Sequence, residues 1–217
     1  QVFEKCFAAL FPNHPYGTQT TIGTVEHLQN PSITSIKNYF YTYYVPNNIA
    51  ICLSGDLDPD KTIALIDRYF GSWKSKQVPP FSFQPEKPIT TPYTITVTGP
   101  SPEGLVFCYR FPGAANKDAM TMELFSKILA NGSAGLIDLN LVQKQKVLSA
   151  SAFPFRMKDY SMLILFATAK KGQSMEEVRQ LMLSQIDSIK SGKFDKDLLI
   201  SILNNEKVDR LRAAESN

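Results

Sequence analysis

A proline-rich segment at residues 78–92 divides this chain of 217 residues into two parts. Proline lacks the amide hydrogen that helices and sheet ladders use, and segments rich in it form semi-extended spacers. The segment shows neither helical nor strand periodicity and contains Pro79, Pro80, Pro85, Pro88 and Pro92. We therefore predict a linker at residues 78–92, between one α/β domain part at residues 1–77 and a second α/β domain at residues 93–217.

Local signals in the first part predict helices around one apolar strand. Apolar residues at helical spacing predict a helix at residues 2–11, and residues 30–32 start another. The run at residues 49–54 is apolar on both faces, which predicts a strand at the centre of a covered sheet. Asp58 is expected to cap the next helix and Gly71 to stop it.

The helix after residues 30–32 carries four aromatic side chains at helical spacing: Tyr39, Phe40, Tyr43 and Tyr44. We interpret them as a face that packs in the core or against another helix. A surface that stacks on a ligand is the alternative.

The second part has the pattern of an antiparallel sheet covered by helices. Ser174 and Glu177 form a capping box for a helix that stops at Gly192, and a last helix starts near Asp195. Strands are predicted at residues 93–98, 105–111, 147–155 and 162–169, with helices at residues 118–130 and 136–143 and a hairpin turn at residues 158–160.

An ordered set of short motifs lies between Asn13 and Trp73. They are Asn13-His14-Pro15-Tyr16-Gly17, Ile22-Gly23-Thr24, Tyr43-Tyr44-Val45-Pro46-Asn47-Asn48, Ile49-Ala50-Ile51-Cys52-Leu53-Ser54-Gly55-Asp56 and Phe70-Gly71. This order resembles the region just downstream of the metal site in the insulinase/pitrilysin zinc peptidases. Residues 128–136 are similar to that family's helix end, glycine-containing turn and following helix. The Arg-Glu pair and Tyr-containing strand that usually follow there are replaced by residues 143–146 and 149–151.

The family's metal signature, H-x-x-E-H on a helix with a further Glu later in the chain, is absent from this sequence. The chain has two histidines, His14 and His27, with no shared helical face, and we interpret both as structural. The resemblance therefore implies a fragment that lies downstream of the zinc ligands of such a peptidase.

The resemblance also implies the fold class. The order of strand, turn, cap and helix at residues 49–70 recurs at residues 162–189, as it would in any α/β protein. The family is built from duplicated domains, so we expect an α+β fold with helix-covered, largely antiparallel sheets of the insulinase/pitrilysin type. A partial first domain would precede most of a second, similar domain.

Other catalytic patterns are missing from the sequence. It contains neither G-x-S-x-G nor a phosphate-binding glycine loop. The alternating carboxylates Asp56, Asp58 and Asp60 lack the central glycine and distant glutamate of a calcium loop, and helix capping by Asp58 explains them better. We predict no catalytic, cofactor-binding or metal-binding residue in this chain.

The three cysteines, Cys6, Cys52 and Cys108, form no C-x-x-C pair. Cys52 and Cys108 lie in apolar runs that resemble strands, so buried free thiols are expected. A bridge between Cys52 and Cys108 and a reactive thiol are the alternatives.

Charge and hydropathy exclude two classes of partner. The net charge of +3 is spread along the chain without a basic stripe, so no nucleic acid is expected to bind. No apolar run approaches the length that a bilayer span needs, so no membrane span is expected.

The resemblance implies a non-catalytic portion of a zinc-dependent endopeptidase, forming part of the chamber that encloses the peptide substrate. The substrate would bind as an added strand at a sheet edge. Zn²⁺ would be bound by the parent protein, in the half to which this fragment is expected to belong. The remaining domains would be partners, and the periplasm or cell envelope is the favoured location of the parent.

Two alternatives remain. One is a catalytically inactive family member that acts as a partner or structural subunit, and the other is an unrelated α+β interaction module. A fragment without the start of its first domain should also expose sheet edges and apolar helix faces, which predicts self-association.

Overall fold

The computed structural model describes residues 1–20 and 22–215. The chain divides into two compact units, one of them Phe7–Pro92 and the other Gln1–Cys6 together with the residues from Tyr93 onward. The division at Tyr93 coincides with the end of the proline-rich segment. That the two parts are copies of one duplicated domain stays a prediction.

The regular elements within residues 7–20 and 22–92 are all helical. Asp58 caps its helix as predicted, because its Oδ1 accepts the Lys61 N–H at 3.2 Å, and Gly71 follows the last helical residue. The elements from the start of the chain are α1 (Val2–Leu10), α2 (Pro15–Thr18), α3 (Val25–Gln29), α4 (Ile33–Tyr43), a 3₁₀ turn (Pro46–Asn48) and α5 (Pro59–Phe70).

Two predicted strands, at residues 49–54 and 93–98, are wrong. Neither run belongs to a strand ladder in the part of the chain that the structure describes. Ile49, Ile51 and Leu53 are 41%, 46% and 55% exposed. Apolar, β-branched composition favours an extended backbone, but a strand also needs a neighbour with which to exchange hydrogen bonds.

The aromatic face of α4 does not lie in a core. No residue of this helix is buried, and Tyr39, Phe40 and Tyr44 are all exposed. The rings contact one another instead: the centroids of Phe40 and Tyr44 lie 4.6 Å apart in a stacked arrangement. Packing of this face in a core is therefore wrong, whereas packing against another helix and stacking on a ligand are not tested.

The second unit contains an antiparallel sheet of three strands in the order β1-β3-β2. The strands predicted at residues 105–111, 147–155 and 162–169 are confirmed within two residues at each end. Pro154 is tolerated in β2 because this strand lies at an edge of the sheet. The elements are β1 (Gly104–Pro112), α6 (Lys117–Leu129), a π-helical turn (Asp138–Val142), β2 (Ser149–Arg156), β3 (Tyr160–Thr168), α7 (Met175–Lys190) and α8 (Lys196–Glu215).

The core of this unit lies between one face of the sheet and helices α6 and α7. Alternate residues of a strand point to the same face, so Leu163, Leu165 and Ala167 of β3 enter the core together. Leu105, Phe107 and Phe111 of β1 pack against the same cluster. The helices contribute Met122, Leu129, Val178, Met182 and Ile186.

Helix α7 begins and ends at the residues that the sequence indicates. The Ser174 Oγ accepts the Glu177 N–H at 3.2 Å, which confirms the serine cap. The capping box predicted that the Glu177 carboxylate bonds back to the cap residue Ser174. It accepts instead from the side chain of Gln173, at 3.0 Å. At the other end Gly192 has a φ of 68°, and Lys193 N–H donates to the Ser188 carbonyl at 2.8 Å. This is the Schellman ending that favours glycine.

We predict that Leu165→Ala lowers the free energy of unfolding by about 2–5 kcal/mol, because Leu165 is 0% exposed at the centre of the core. The control is the same substitution at Leu211, which is 66% exposed and should change stability by less than about 0.5 kcal/mol. Guanidinium unfolding followed by circular dichroism measures both variants. Equal losses would contradict the described core.

Candidate functional site

His14 is a buried loop side chain in an aromatic cluster. Its Nδ1 accepts the Tyr16 N–H at 3.1 Å, which caps the short helix α2. Its ring centroid lies 4.1 Å from that of Tyr16 and 4.4 Å from that of Phe83, with Phe11 and Phe81 farther away. Aromatic surroundings of this kind suit a structural imidazole rather than a hydrated metal ligand.

The other residues considered as metal ligands from the sequence do not lie together. His27 is exposed on the short helix α3, and the Asp58 carboxylate pairs with Lys61 at 3.0 Å. The hydrogen bond from Lys61 lowers the pKa of Asp58, as expected for a capping carboxylate. Among residues 1–20 and 22–215, no group of three or more His, Cys, Asp and Glu side chains is placed to bind one metal ion. That this chain contains no catalytic or metal residue stays a prediction.

The outer side of β1 is one of the two edges of the described sheet. β1 pairs with β3 on one side, and its other side faces no strand within the described residues. β1 is nine residues long and, before Pro112 at its end, contains no proline. An open edge of this length presents unpaired N–H and C=O groups to which an extended peptide can add.

The turn after α6 is held by Asp138. Its Oδ2 accepts the N–H groups of Asn131, Gly132 and Gly135 at 2.8, 2.9 and 3.1 Å. Gly132 adopts a φ of 86°, a conformation that favours glycine. Converging backbone amides form a site for an anion, and here the chain's own carboxylate occupies it. The sequence showed the glycine turn but not the side chain that holds it.

A polar cavity of about 360 Å³ lies beside this turn, between α6, β2 and α8. Ser201, Asn205 and Asp209 line it at helical spacing along α8. Lys127, also in its wall, is ion-paired with Glu206. The lining groups supply hydrogen-bond donors and acceptors.

Two of the three cysteines, Cys6 of α1 and Cys108 of β1, are half-buried. A side-chain hydrogen bond with Cys108 lowers the pKa of Cys6 to about 7, and the same interaction together with burial raises the pKa of Cys108. All three cysteines are free, and Cys52 is exposed. The expected burial of Cys52 is therefore wrong, and so is the alternative of a bridge between Cys52 and Cys108.

The family described as the Peptidase M16 inactive domain matches residues 32–205. The chain belongs to this M16 family. The resemblance to the insulinase/pitrilysin zinc peptidases is thereby confirmed, and the alternative of an unrelated interaction module is excluded.

Relatives with an M16 fold match over the whole chain. Zinc protease PqqE of Helicobacter pylori (strain ATCC 700392 / 26695) is 24% identical over 221 residues, which cover 100% of this chain and 50% of that protein. The crystal structure of a protease from Helicobacter pylori has a TM-score of 0.74 at 25% identity and covers 94% of this chain. This chain covers 50% of the chain in that crystal structure.

A protease structure of lower sequence identity has a similar fold. The periplasmic protease PqqL from Escherichia coli has a TM-score of 0.68 at 15% identity, covering 98% of this chain and 24% of that one. The chain thus spans half the length of the relatives from Helicobacter pylori. No helix in the described residues is long and apolar enough to cross a membrane.

We predict that Asp138→Ala lowers the free energy of unfolding by about 2 kcal/mol, because three backbone N–H groups lose a charged acceptor. Asp187→Ala is the control: its carboxylate, 73% exposed on α7, pairs only loosely with Lys190 at 3.8 Å and should contribute little. Urea unfolding measures both. A loss at Asp138 no larger than at Asp187 would show that the turn does not depend on this carboxylate.

Proposed function

We propose that this chain is a non-catalytic portion of a zinc-dependent endopeptidase of the M16 family, forming part of the chamber that encloses the substrate. The match of residues 32–205 to the inactive domain is the observation that carries the proposal. The chain spans half of a relative named a zinc protease. The Zn²⁺ ion and the hydrolytic step are therefore assigned to the remaining part of the parent protein.

In this proposal the substrate is a peptide in an extended conformation. The open side of β1 supports it, because a peptide that adds a strand there satisfies unpaired backbone groups of both partners. Recognition through backbone hydrogen bonds depends weakly on side chains. The chamber wall would accordingly accept peptides of varied sequence.

The remaining domains of the parent are the proposed partners of the unit Phe7–Pro92. This unit exposes large apolar side chains on both α4 and α5, among them Ile36, Tyr39, Ile63 and Tyr69. Exposed apolar surface of this extent is typical of a protein interface. Because the neighbour from Escherichia coli is a periplasmic protease, we place the parent in the periplasm.

An inactive M16 protein that serves as a partner or structural subunit is the alternative, because the inactive-domain match fits it equally well. The parent sequence separates the two. An H-x-x-E-H motif followed by a distant glutamate supports the peptidase, and its absence from the whole parent supports the inactive subunit.

We expect the isolated chain to bind no zinc tightly and to cleave no peptide, because catalytic zinc needs three convergent protein ligands. Calorimetric titration with Zn²⁺ in the presence of a phosphine reductant measures the first, and a library of fluorogenic peptides the second. The chain joined to the remaining half of its parent is the positive control. Stoichiometric zinc binding that His14→Ala abolishes would contradict the assignment.

We further expect the isolated chain to self-associate as its concentration rises, because the apolar face of α4 is uncovered. Ile36→Asp should shift the chain towards the monomer in light scattering. Asn38→Asp adds the same charge to an exposed position of α4 without removing apolar surface, so it should leave association nearly unchanged. A strictly monomeric wild-type chain would contradict the expectation.

A further inference from the structure

The cavity between α6, β2 and α8 combines a buried apolar wall with one buried hydroxyl. Ala130, Ala152 and Ile202 line it and are at most 8% exposed. Ser126 of α6 also lines it and is 1% exposed, and its Oγ has no hydrogen-bond partner in the part of the chain that the structure describes. Buried polar atoms in proteins are nearly always hydrogen-bonded. A buried, unpartnered hydroxyl in the wall of a cavity therefore points to a partner that enters from outside the chain.

The solvent-facing side of the cavity is polar. Ser201, Asn205 and Asp209 line it and are exposed. They follow one another at intervals of four residues along α8, so they lie on one side of the helix over about 12 Å. Because α6 and α8 are in contact, this polar row and the Ser126 hydroxyl lie within the span of one small molecule.

The charges in the wall of the cavity do not balance one another. Lys127, the cation of the wall, is ion-paired with Glu206. The Asp209 carboxylate has no ion pair among the described residues. The solvent-facing side thus offers an acceptor for a cation, whereas the buried wall disfavours a second charge.

We propose that this cavity binds a small organic amine. Its ammonium group pairs with Asp209, its apolar body packs on the buried wall, and a distal uncharged group hydrogen-bonds to the Ser126 hydroxyl. A free amine and the lysine side chain of a peptide share this chemistry and differ only in what carries the ammonium. The site does not depend on the proposed peptidase role.

Tyramine is the probe for this site, because it joins an ammonium, an apolar ring and a hydroxyl. Titration of the isotopically labelled chain, followed by amide chemical shifts, should give saturable shifts that cluster at the residues lining the cavity. Para-ethylphenol lacks the ammonium and should bind about fivefold more weakly. Phenethylamine lacks the hydroxyl and should bind about threefold more weakly. Shifts that do not cluster at the cavity, or equal binding of tyramine and para-ethylphenol, would overturn the proposal.

Single variants separate the two polar contacts. Asp209→Asn should weaken tyramine binding about fivefold and leave para-ethylphenol binding unchanged, a difference that a merely structural role would not produce. The matched control, Asp197→Asn, removes the same charge from α8 outside the cavity and should change neither affinity. Ser126→Ala should abolish the advantage of tyramine over phenethylamine. Equal losses in the two aspartate variants, or an advantage that survives Ser126→Ala, would refute the assigned contacts.

A lysine blocked at its α-amino and carboxyl groups separates the two sources of the ammonium. Binding tighter than that of tyramine indicates a peptide side chain, and weaker binding indicates a free amine. Either order supports the site if Asp209→Asn also weakens the binding of the blocked lysine. Blocked lysine and tyramine that both bind Asp209→Asn as tightly as the wild-type chain would rule out the amine site.

Discussion

The pairing of β3 on both sides is the interaction on which the folded unit of this chain depends. β1 and β2 each pair with β3, so without it neither has a partner in the described sheet. Met162, Leu163, Ile164 and Leu165 are at most 2% exposed. Burying one such side chain stabilises the fold by about 1.5–3 kcal/mol. The side chains of β3 therefore contribute much of the hydrophobic stabilisation of this unit. Helices α6 and α7 are positioned by the same strand, because they cover the face that Leu163 and Leu165 present.

The unit Phe7–Pro92 is stabilised differently. Its helices are defined by caps and prolines, and two of its fully buried side chains, Phe11 and His14, have ring centroids 6.5 Å apart. Large apolar residues of α4, α5 and residues 49–53 remain in contact with solvent. This unit therefore has well-defined helices but few buried apolar side chains.

Local chemistry made much of the fold predictable. The caps at Asp58 and Ser174, the stop at Gly192 and three strands of the second part depend on signals within a few residues. The prediction of a strand at residues 49–54 was wrong because strand pairing needs two segments, whereas the composition of this segment describes only one of them.

Pro154 makes the two edges of the sheet unequal as sites for pairing with a further strand. A proline in a sheet lies on the open side of an edge strand, where it presents no N–H, so the outer side of β2 is a poor template at that point. The outer side of β1 has no such block before Pro112. Edge-to-edge contact between copies is therefore favoured at the outer side of β1. A contact between two such sides closes after two copies by two-fold symmetry.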